Sequence, residues 1–460
     1  MHKRDQYKRI IKFLLSVVIV TVLTGIFAVT WFWGYAHNGA NFFVRGNFAI
    51  VMLYAMMICL VFKFFGAFRI GSLRIVDVLF SQVLSVLTVN LCLYIQLCLI
   101  VRWQWLTNMV PLLIMTVVDL AVVIAWVVLA RWSYLKMYPS RKLLVVYGDY
   151  SPDRLIHKLR SRKEKYDIRD AVSIDTDMDV IKEKIVENGN VVLTDIPAQT
   201  RNELLKFCFE KNIRCYCVPK ISDIMITGAE SIHLLDTTLL LFRNMGMSAE
   251  QRFLKRAMDI IIALIASVVA APFMLVIALC IKLYDGGPVL FTQDRLTQDG
   301  KVFKIYKFRS MKIQPKDQEY CMTRKDDDRI TPVGKIIRAI HFDELPQLIN
   351  ILKGDMSVVG PRPECPDLAE KYCESFPEFR YRLKVKAGLT GYAQVYGKYN
   401  TTPYDKLKLD LTYIENYSVL LDLKLILLTV KILFQRENTE GIESWQTSAE
   451  NAERIGTGDQ

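Results

Sequence analysis

Hydrophobic positions along this chain are gathered into long runs. Phe13–Trp33, Phe48–Phe62, Val78–Val101 and Trp103–Ala130 follow one another with few charges inside them, and a membrane helix needs about 17–25 such residues. The second run is short unless Lys63 reaches back to the interface and Phe64–Phe65 extend it. Asp119 is the acid inside the fourth and is expected to face another helix instead of lipid. One such run would suit a buried core helix; four in succession point to membrane spans. The first is too long for a cleaved signal peptide, and no small-residue cleavage site follows it.

From Arg141 to about Arg243 the pattern changes. Short apolar runs such as "KLLVVYG", "DAVSI", "VVLT" and "IRCYCVP" alternate with helical stretches of about ten residues, the signature of a small parallel α/β sheet. Its first turn, "YGDYSP", has one glycine where a dinucleotide site uses G-x-G-x-x-G to admit a pyrophosphate, and Asp149 and Tyr150 would crowd the approach. A Rossmann-like module that does not bind NAD is expected, suited to regulation or dimerisation.

A fifth apolar stretch, Ile260–Ile281, has basic flanks at Lys255, Arg256 and Lys282 and carries Pro272 near its middle. A proline there removes a backbone hydrogen bond and clashes with the preceding turn. A helix broken at Pro272 would enter and leave by one face, a re-entrant hairpin; a proline-kinked span is the alternative. Lysines and arginines are dense before the first run, between the second and third, and after the fourth, which puts both ends of the four-run block in the cytoplasm.

Charge and composition sharpen this picture. The chain has 460 residues, is 52% hydrophobic and carries a net charge of +12. Its basic balance, in a membrane setting, favours phosphates and lipid head groups over nucleic acid. Five histidines leave little for a His-built zinc or acid–base site, and the ten cysteines form no C-x-x-C. Cys215 and Cys217 share a strand face and are expected to be packed, reduced thiols.

The candidate chemistry lies beyond the fifth stretch. "KVFKIYKFRSM" (Lys301–Met311) reads as a strand with Lys307 and Arg309 on one face and Lys304 on the other. "DDDRITPVGKIIRAIHFDE" follows with Arg329, Arg338 and the acid pair Asp343–Glu344. Pro346 suits the first turn of a helix, which is therefore expected to start near Asp343, with Asp343 as its cap held ionised by the helix dipole. Gly354-Asp355 and the Gly360-Pro361-Arg362-Pro363 loop complete the group. An arginine between two prolines has little backbone freedom, and its guanidinium suits bidentate phosphate contacts.

These stretches carry a resemblance. "KRAMDIIIALIA", "GGPVLFTQDRLTQDGKVFKIYKFRSM", "DDRITPVGKIIR", "DELPQLINILKGDMSVVGPRPE" and "KAGLTGYAQVYGK" cover most of Lys255–Arg436 in an order similar to the catalytic domain of the monotopic phosphoglycosyl transferases. These are the bacterial sugar transferases that prime glycan assembly. With four membrane helices and a Rossmann-like domain ahead of it, the chain resembles the large members of that family. The departures are local. Ile340-His341-Phe342 stands where Ser-Leu is usual, Ala387 replaces a proline, and Ala271 replaces a serine before Pro272. Changes at His341 and Ala387 bear on substrate choice.

The resemblance implies a multi-domain protein of the bacterial cytoplasmic membrane. It has a four-helix transmembrane bundle (1–140), a Rossmann-like α/β domain (141–243) and an α+β catalytic domain (250–436). The last holds a re-entrant helix (256–282) and interfacial helices on the cytoplasmic face, and a polar tail (437–460) follows. It implies an enzyme, a phosphotransferase moving a sugar 1-phosphate from a UDP-sugar to polyprenyl phosphate and releasing UMP through a covalent intermediate on Asp343. Glu344 is then its neighbour at a Mg²⁺ ion, with Asp355 as a further candidate ligand. Arg338, Arg362, Lys307, Arg309 and Arg329 are the candidate phosphate or nucleotide contacts. A homodimer is compatible with this reading. Thr412–Arg436 suits an interfacial helix or one buried in the domain.

Three other readings are weighed against it. Asp326-x-Asp328 resembles the D-x-D of metal-dependent glycosyltransferases, which move the sugar itself and release UDP. Tyr404-x-x-x-Lys408 has the spacing of a dehydratase or epimerase, without the glycine fingerprint. A non-enzymatic membrane scaffold leaves the acid pair and the arginines without a role.

Overall fold

The computed structural model describes residues 7–36, 44–100, 109–242, 246–312, 329–397 and 401–433. The chain divides into two compact units, Met1–Pro219 and Lys220–Gln460. Among the described residues, five helices are long and apolar enough to cross a membrane. The Asp326–Asp328 stretch and the 437–460 tail lie outside the described residues.

In the first unit, α1 (Lys8–Thr30, continued by a π-turn at Trp31–Tyr35), α2 (Val44–Phe65), α3 (Ile75–Ile100) and α4 (Val110–Met137) carry the four apolar runs. Large side chains from all four, among them Phe27, Tyr54, Val89 and Met115, share one core. Asp119 is fully buried, and the Asn90 amide of α3 donates to it at 3.3 Å. An interhelical hydrogen bond is the arrangement expected for an acid that cannot face lipid.

The α/β part of the same unit has β1 (Arg141–Tyr147), α5 (Asp153–Arg160), β2 (Tyr166–Ser173), α6 (Met178–Asn188), β3 (Asn190–Thr194), α7 (Ala198–Glu210) and β4 (Arg214–Cys217). All four strands are parallel, in the order β2-β1-β3-β4. Leu143–Val146 are fully buried because helices cover both faces of a parallel sheet. After β1, Gly148 lies so close to the Asp195 carbonyl that no Cβ would fit. The Tyr150 N–H donates to the Asp195 carboxylate at 3.2 Å. Cys215 and Cys217 are free thiols with their sulfurs 3.9 Å apart.

The sequence reading carries the α/β module to Arg243, whereas the sheet ends at Cys217. The next helix, α8 (Ile221–Thr227), belongs to the second unit, where Ile224 enters the main core. A hairpin of β5 (Glu230–Leu234) and β6 (Thr237–Leu241) follows. Then comes α9 (Ala249–Asp285), started by a reciprocal cap between Ser248 and Gln251 and stopped by Gly286 in the left-handed region. The sequence reading breaks the chain at Pro272. In the structure α9 runs through Pro272 as one helix.

The rest of the second unit builds the frame of the site. An antiparallel pair, β7 (Leu290–Leu296) and β8 (Val302–Phe308), precedes α10 (Pro332–Ala339) and α11 (Gln347–Lys353). Then follow β9 (Ser357–Val359), α12 (Pro366–Ser375), a 3₁₀ segment (Pro377–Lys384), β10 (Gly388–Thr390), α13 (Tyr392–Tyr396), α14 (Pro403–Glu415) and α15 (Val419–Leu433). The expected Thr412–Arg436 segment is thus split between α14 and α15. On α15, Asp422 and Leu425 are fully buried, while Leu420 is exposed.

The first turns of α9 are clamped into this unit. Lys255 pairs with Asp422 at 2.7 Å, and Asp259 accepts from Ser357 Oγ and Val358 N, both at 3.0 Å. Arg256 donates to the Ile351 and Leu352 carbonyls, and Lys386 donates to the Gly354 carbonyl. Those are carbonyls a helix C-terminus leaves without partners, so the cations close the end of α11.

Candidate active site

Asp343 and Glu344 sit on a 3₁₀ turn, Phe342–Glu344, between α10 and α11. The residue before the turn, His341, holds a left-handed backbone at φ 57°. That conformation costs a non-glycine residue about 1–2 kcal/mol and reverses the chain sharply. Phe342 then packs edge-on to Phe273 of α9 at 6.0 Å. Beneath the turn, Ile277 and Ile281 of α9 meet Phe308 and Ile337 in one apolar cluster. The acid pair is therefore seated on the middle and C-terminal part of the apolar helix.

Strand β8 brings the first cation. Asn350, fully buried on α11, accepts from Tyr306 N at 3.0 Å and donates to the Lys304 carbonyl at 2.8 Å. This ties α11 to β8 and places the Lys307 ammonium 2.8 Å from Glu344 Oε1. The second cation, Arg362, reaches the same oxygen at 3.3 Å. Its loop is held by glycines: Gly360 N–H donates to Thr390 O and Gly388 N–H to Pro361 O. A Cβ on Gly360, Gly388 or Gly391 would strike the facing backbone. These glycines let the two loops cross in contact.

The two carboxyls differ. Burial works against ionised Glu344, but Arg362 and Lys307 outweigh it and lower its pKa to about 2. Asp343 is raised above its ordinary value by burial and by the Glu344 charge, against the pull of Lys307, Arg338 and His341. The expected helix start corrects accordingly. Asp343 is no N-cap, because α11 begins after Pro346, and its pKa is raised by burial instead of lowered. Among the described residues its carboxylate makes no hydrogen bond, which leaves it open to an incoming electrophile.

Asp343, Glu344, Lys307, Arg362 and Arg338 thus come together. Arg309 does not join them: the same-face alternation with Lys307 holds only as far as β8 lasts, and Arg309 is buried in an ion pair with Asp285 against Gly287. Arg329 lies next to the Met311–Ile330 bridge, its carbonyl accepting from Lys312 N. Asp355 is at the far end of α11, about 10 Å of helix from the acid pair. There it accepts from Asn350 and Thr297.

Among the described residues no three acidic, histidine or cysteine side chains converge on a metal position. Mg²⁺ seldom needs such a cage, taking one or two carboxylates, waters and substrate phosphate. The neighbouring oxygens of Asp343 and Glu344 suit that donor set; Asp355 does not.

A layer behind Arg362 leaves only a faint mark in the sequence. Buried Arg382 donates to the Arg362 carbonyl at 2.9 Å and pairs with Glu364 at 3.3 Å and Asp410 at 2.9 Å. Lys406 joins it; burial lowers its pKa, and it feels the charges of Glu364 and Arg362. The i, i+4 spacing of Lys406 and Asp410 on α14 was the available signal.

The family model for the bacterial sugar transferases matches residues 250–436. An exopolysaccharide production protein of Rhizobium leguminosarum bv. phaseoli is 43% identical over 188 residues, which are 38% of this chain and 93% of that protein. The chain belongs to the bacterial sugar transferase family. The family match takes in the acid pair, both cations and α9 from Glu250 onward. A UDP-glucose:undecaprenyl-phosphate glucose-1-phosphate transferase of Escherichia coli (strain K12) is 40% identical over 210 residues, 45% of this chain and 44% of the relative. A UDP-N-acetylgalactosamine-undecaprenyl-phosphate N-acetylgalactosaminephosphotransferase of Aeromonas hydrophila is 38% identical over 230 residues, 49% of this chain and 53% of the relative. The chain thus spans about half the length of these two larger members of the family.

Proposed function

We propose that this protein transfers a sugar 1-phosphate from a UDP-sugar to a polyprenyl phosphate, an early membrane step of glycan assembly. One observation carries the reading: an aspartate with no hydrogen bond among the described residues stands beside a glutamate gripped by Lys307 and Arg362, on a turn seated against an apolar helix. The names of the relatives from Escherichia coli and Aeromonas hydrophila, which include UDP-sugars and undecaprenyl phosphate, support it.

In this reading an Asp343 oxygen attacks the sugar-bearing phosphorus of the donor. The bond from that phosphorus to the bridging oxygen breaks, and UMP leaves with the electron pair. A phosphate oxygen of the lipid then attacks the same phosphorus and releases the Asp343 carboxylate. Lys307, Arg362 and Arg338 bind and orient the diphosphate while its charge redistributes. Mg²⁺, held by Asp343 and Glu344, would supply further charge neutralisation there.

The ends of α9 support a reading of the topology. Lys255 and Asp259 at one end, and Asp285 at the other, are tied to residues of the same unit. Between those ends Phe273, Ile277 and Ile281 also pack on that unit, so α9 is fastened to it along its C-terminal half as well as at its start. On this basis we read α9, unbroken at Pro272, as held on one face of the membrane with both ends on the same side. The four apolar runs of α1–α4 are read as a transmembrane bundle, with the catalytic part on the cytoplasmic face. Single cysteines placed at the two ends of α9 should label from one side; labelling from opposite sides would mean a true span. The Asp195 carboxylate beside the turn after β1 argues against a dinucleotide phosphate there.

The test of the chemistry is a reaction without acceptor. Given a UDP-sugar and Mg²⁺, the protein should release UMP approaching one equivalent, and the adduct mass should map to the peptide containing Asp343. Release only when the lipid is present, with intersecting two-substrate kinetics, would make the acid pair a site of direct transfer.

A further inference from the structure

Beside Arg362 lies a cavity of about 430 Å³, within the range of about 300–1,000 Å³ typical of small-molecule clefts. Its walls come from the end of β7, the Pro361–Pro366 loop, α12, the 3₁₀ segment after it and Ala387. No residue of α9 and no member of the apolar cluster under Phe342 lines it. The site accordingly has two approaches, one along the apolar helix and one past Arg362.

What the cavity offers is specific. Leu296, Pro361, Leu383, Val385 and Ala387 make most of its surface apolar. Its buried polar groups are already committed. Arg382 serves Glu364, Asp410 and the Arg362 carbonyl, and Thr297 donates to the Asp355 carbonyl while accepting from Ala387 N. A hexose would bring a ring of hydroxyls with few partners, and burying unpaired hydroxyls is costly. A planar base with one polar edge asks for flat apolar walls and a single donor group. Arg380 provides that group: it is exposed, and among the described residues its one side-chain hydrogen bond is from Nε to Pro377 O.

We infer that this cavity receives the base of the donor nucleoside, with the ribose at its open edge and the diphosphate toward Arg362. Arg362 touches Glu344 and also lines the cavity, so an α-phosphate at its guanidinium would connect the two. The lipid acceptor then arrives from the α9 side, and the two substrates do not compete for one channel. This assignment rests on the donor being a uridine diphosphate sugar, as proposed above.

Cys373, a free and partly buried thiol in the cavity wall, provides a readout independent of turnover. In the full-length protein, UMP should protect Cys373 from alkylation by N-ethylmaleimide, measured by peptide mass spectrometry. AMP and inorganic phosphate should protect at least about tenfold less well. Cys373→Trp, which fills the cavity, should raise the KM for UDP-sugar and the Ki for UMP about tenfold or more, with kcat changed less. Arg380→Ala, at an exposed position that leaves the fold intact, should raise both about threefold. Equal protection by phosphate and UMP would overturn the nucleoside assignment, as would unchanged KM and Ki in Arg380→Ala together with no protection of Cys373. If no UDP-sugar yields UMP in the presence of polyprenyl phosphate, the proposed reaction fails, and the protection experiment still judges the cavity.

Discussion

Glu344 and Asp422 each hold a lysine ammonium at nearly the same distance, 2.8 Å and 2.7 Å. Around Asp422 the surroundings are closed. Its side chain is 0% exposed and that of Lys255 7%, and Tyr413 donates to the other oxygen at 2.8 Å. Around Glu344 one partner is open, since the Arg362 side chain is 50% exposed. The titrations diverge as well. Burial raises Asp422 despite Lys255, whereas Arg362 and Lys307 overcome burial at Glu344. A saturated pair can fasten α9 to the domain, and a pair with an open cation can exchange a protein contact for a substrate phosphate. Similar residue types thus serve anchoring in one place and chemistry in the other, and access decides which.

The largest effect tests the chemical side. Asp343→Asn preserves shape and removes the attacking anion, so UMP release should vanish while the melting temperature stays put. Glu344→Gln should lower turnover by about 100-fold, the scale of losing one charged group at a reacting centre. Steady-state UMP assays measure both.

Swapping the two lysines sharpens the contrast. Lys255→Met strands a buried carboxylate and should cost about 3–5 kcal/mol of stability in denaturant unfolding. Lys307→Met sits beside a more open site and should cost about 1 kcal/mol or less, with its main loss in kcat/KM. Equal stability losses would erase the distinction between anchor and site.

Acid titration offers a third test. Glu364 is buried, yet Arg382, Lys406, Arg362 and Arg295 hold its carboxyl below its ordinary value of 4.5. A lowered folded pKa means that its contribution is complete above pH 4.5 and is lost as the pH falls through the folded pKa. Glu364→Gln should therefore flatten the acid side of the stability curve. Asp422, raised above 3.8, has the opposite sign and loses its contribution as the pH rises through its folded pKa.

The smallest effect concerns where the second unit begins. A fragment starting at Lys220 should keep activity within a few-fold of the full chain in lipid. One starting at Ser248 loses Ile224 from the core and should be less stable by about 1–3 kcal/mol. Denaturant unfolding of the two fragments compares them directly.

Much of this was legible in the chain itself. Apolar runs, the period-two and helical alternation of the α/β module, and the contiguous acid-pair and Pro-Arg-Pro motifs are local signals, because a helix or strand imposes its repeat on neighbouring residues. Asp119 could be predicted to face a helix because lipid gives a carboxylate no partner. Other decisions needed the tertiary structure. Alternation places Lys307 and Arg309 on one strand face, yet β8 ends at Phe308 and Arg309 turns to Asp285 while Lys307 meets Glu344, since periodicity does not say where a strand stops or what stands opposite. Asp355 was near the acid pair in sequence and is separated from it by the length of α11. Lys255 and Asp422 are 167 residues apart in the chain. An ion pair's worth depends on the burial and the partners that distant segments supply, and those exist only once the chain has folded.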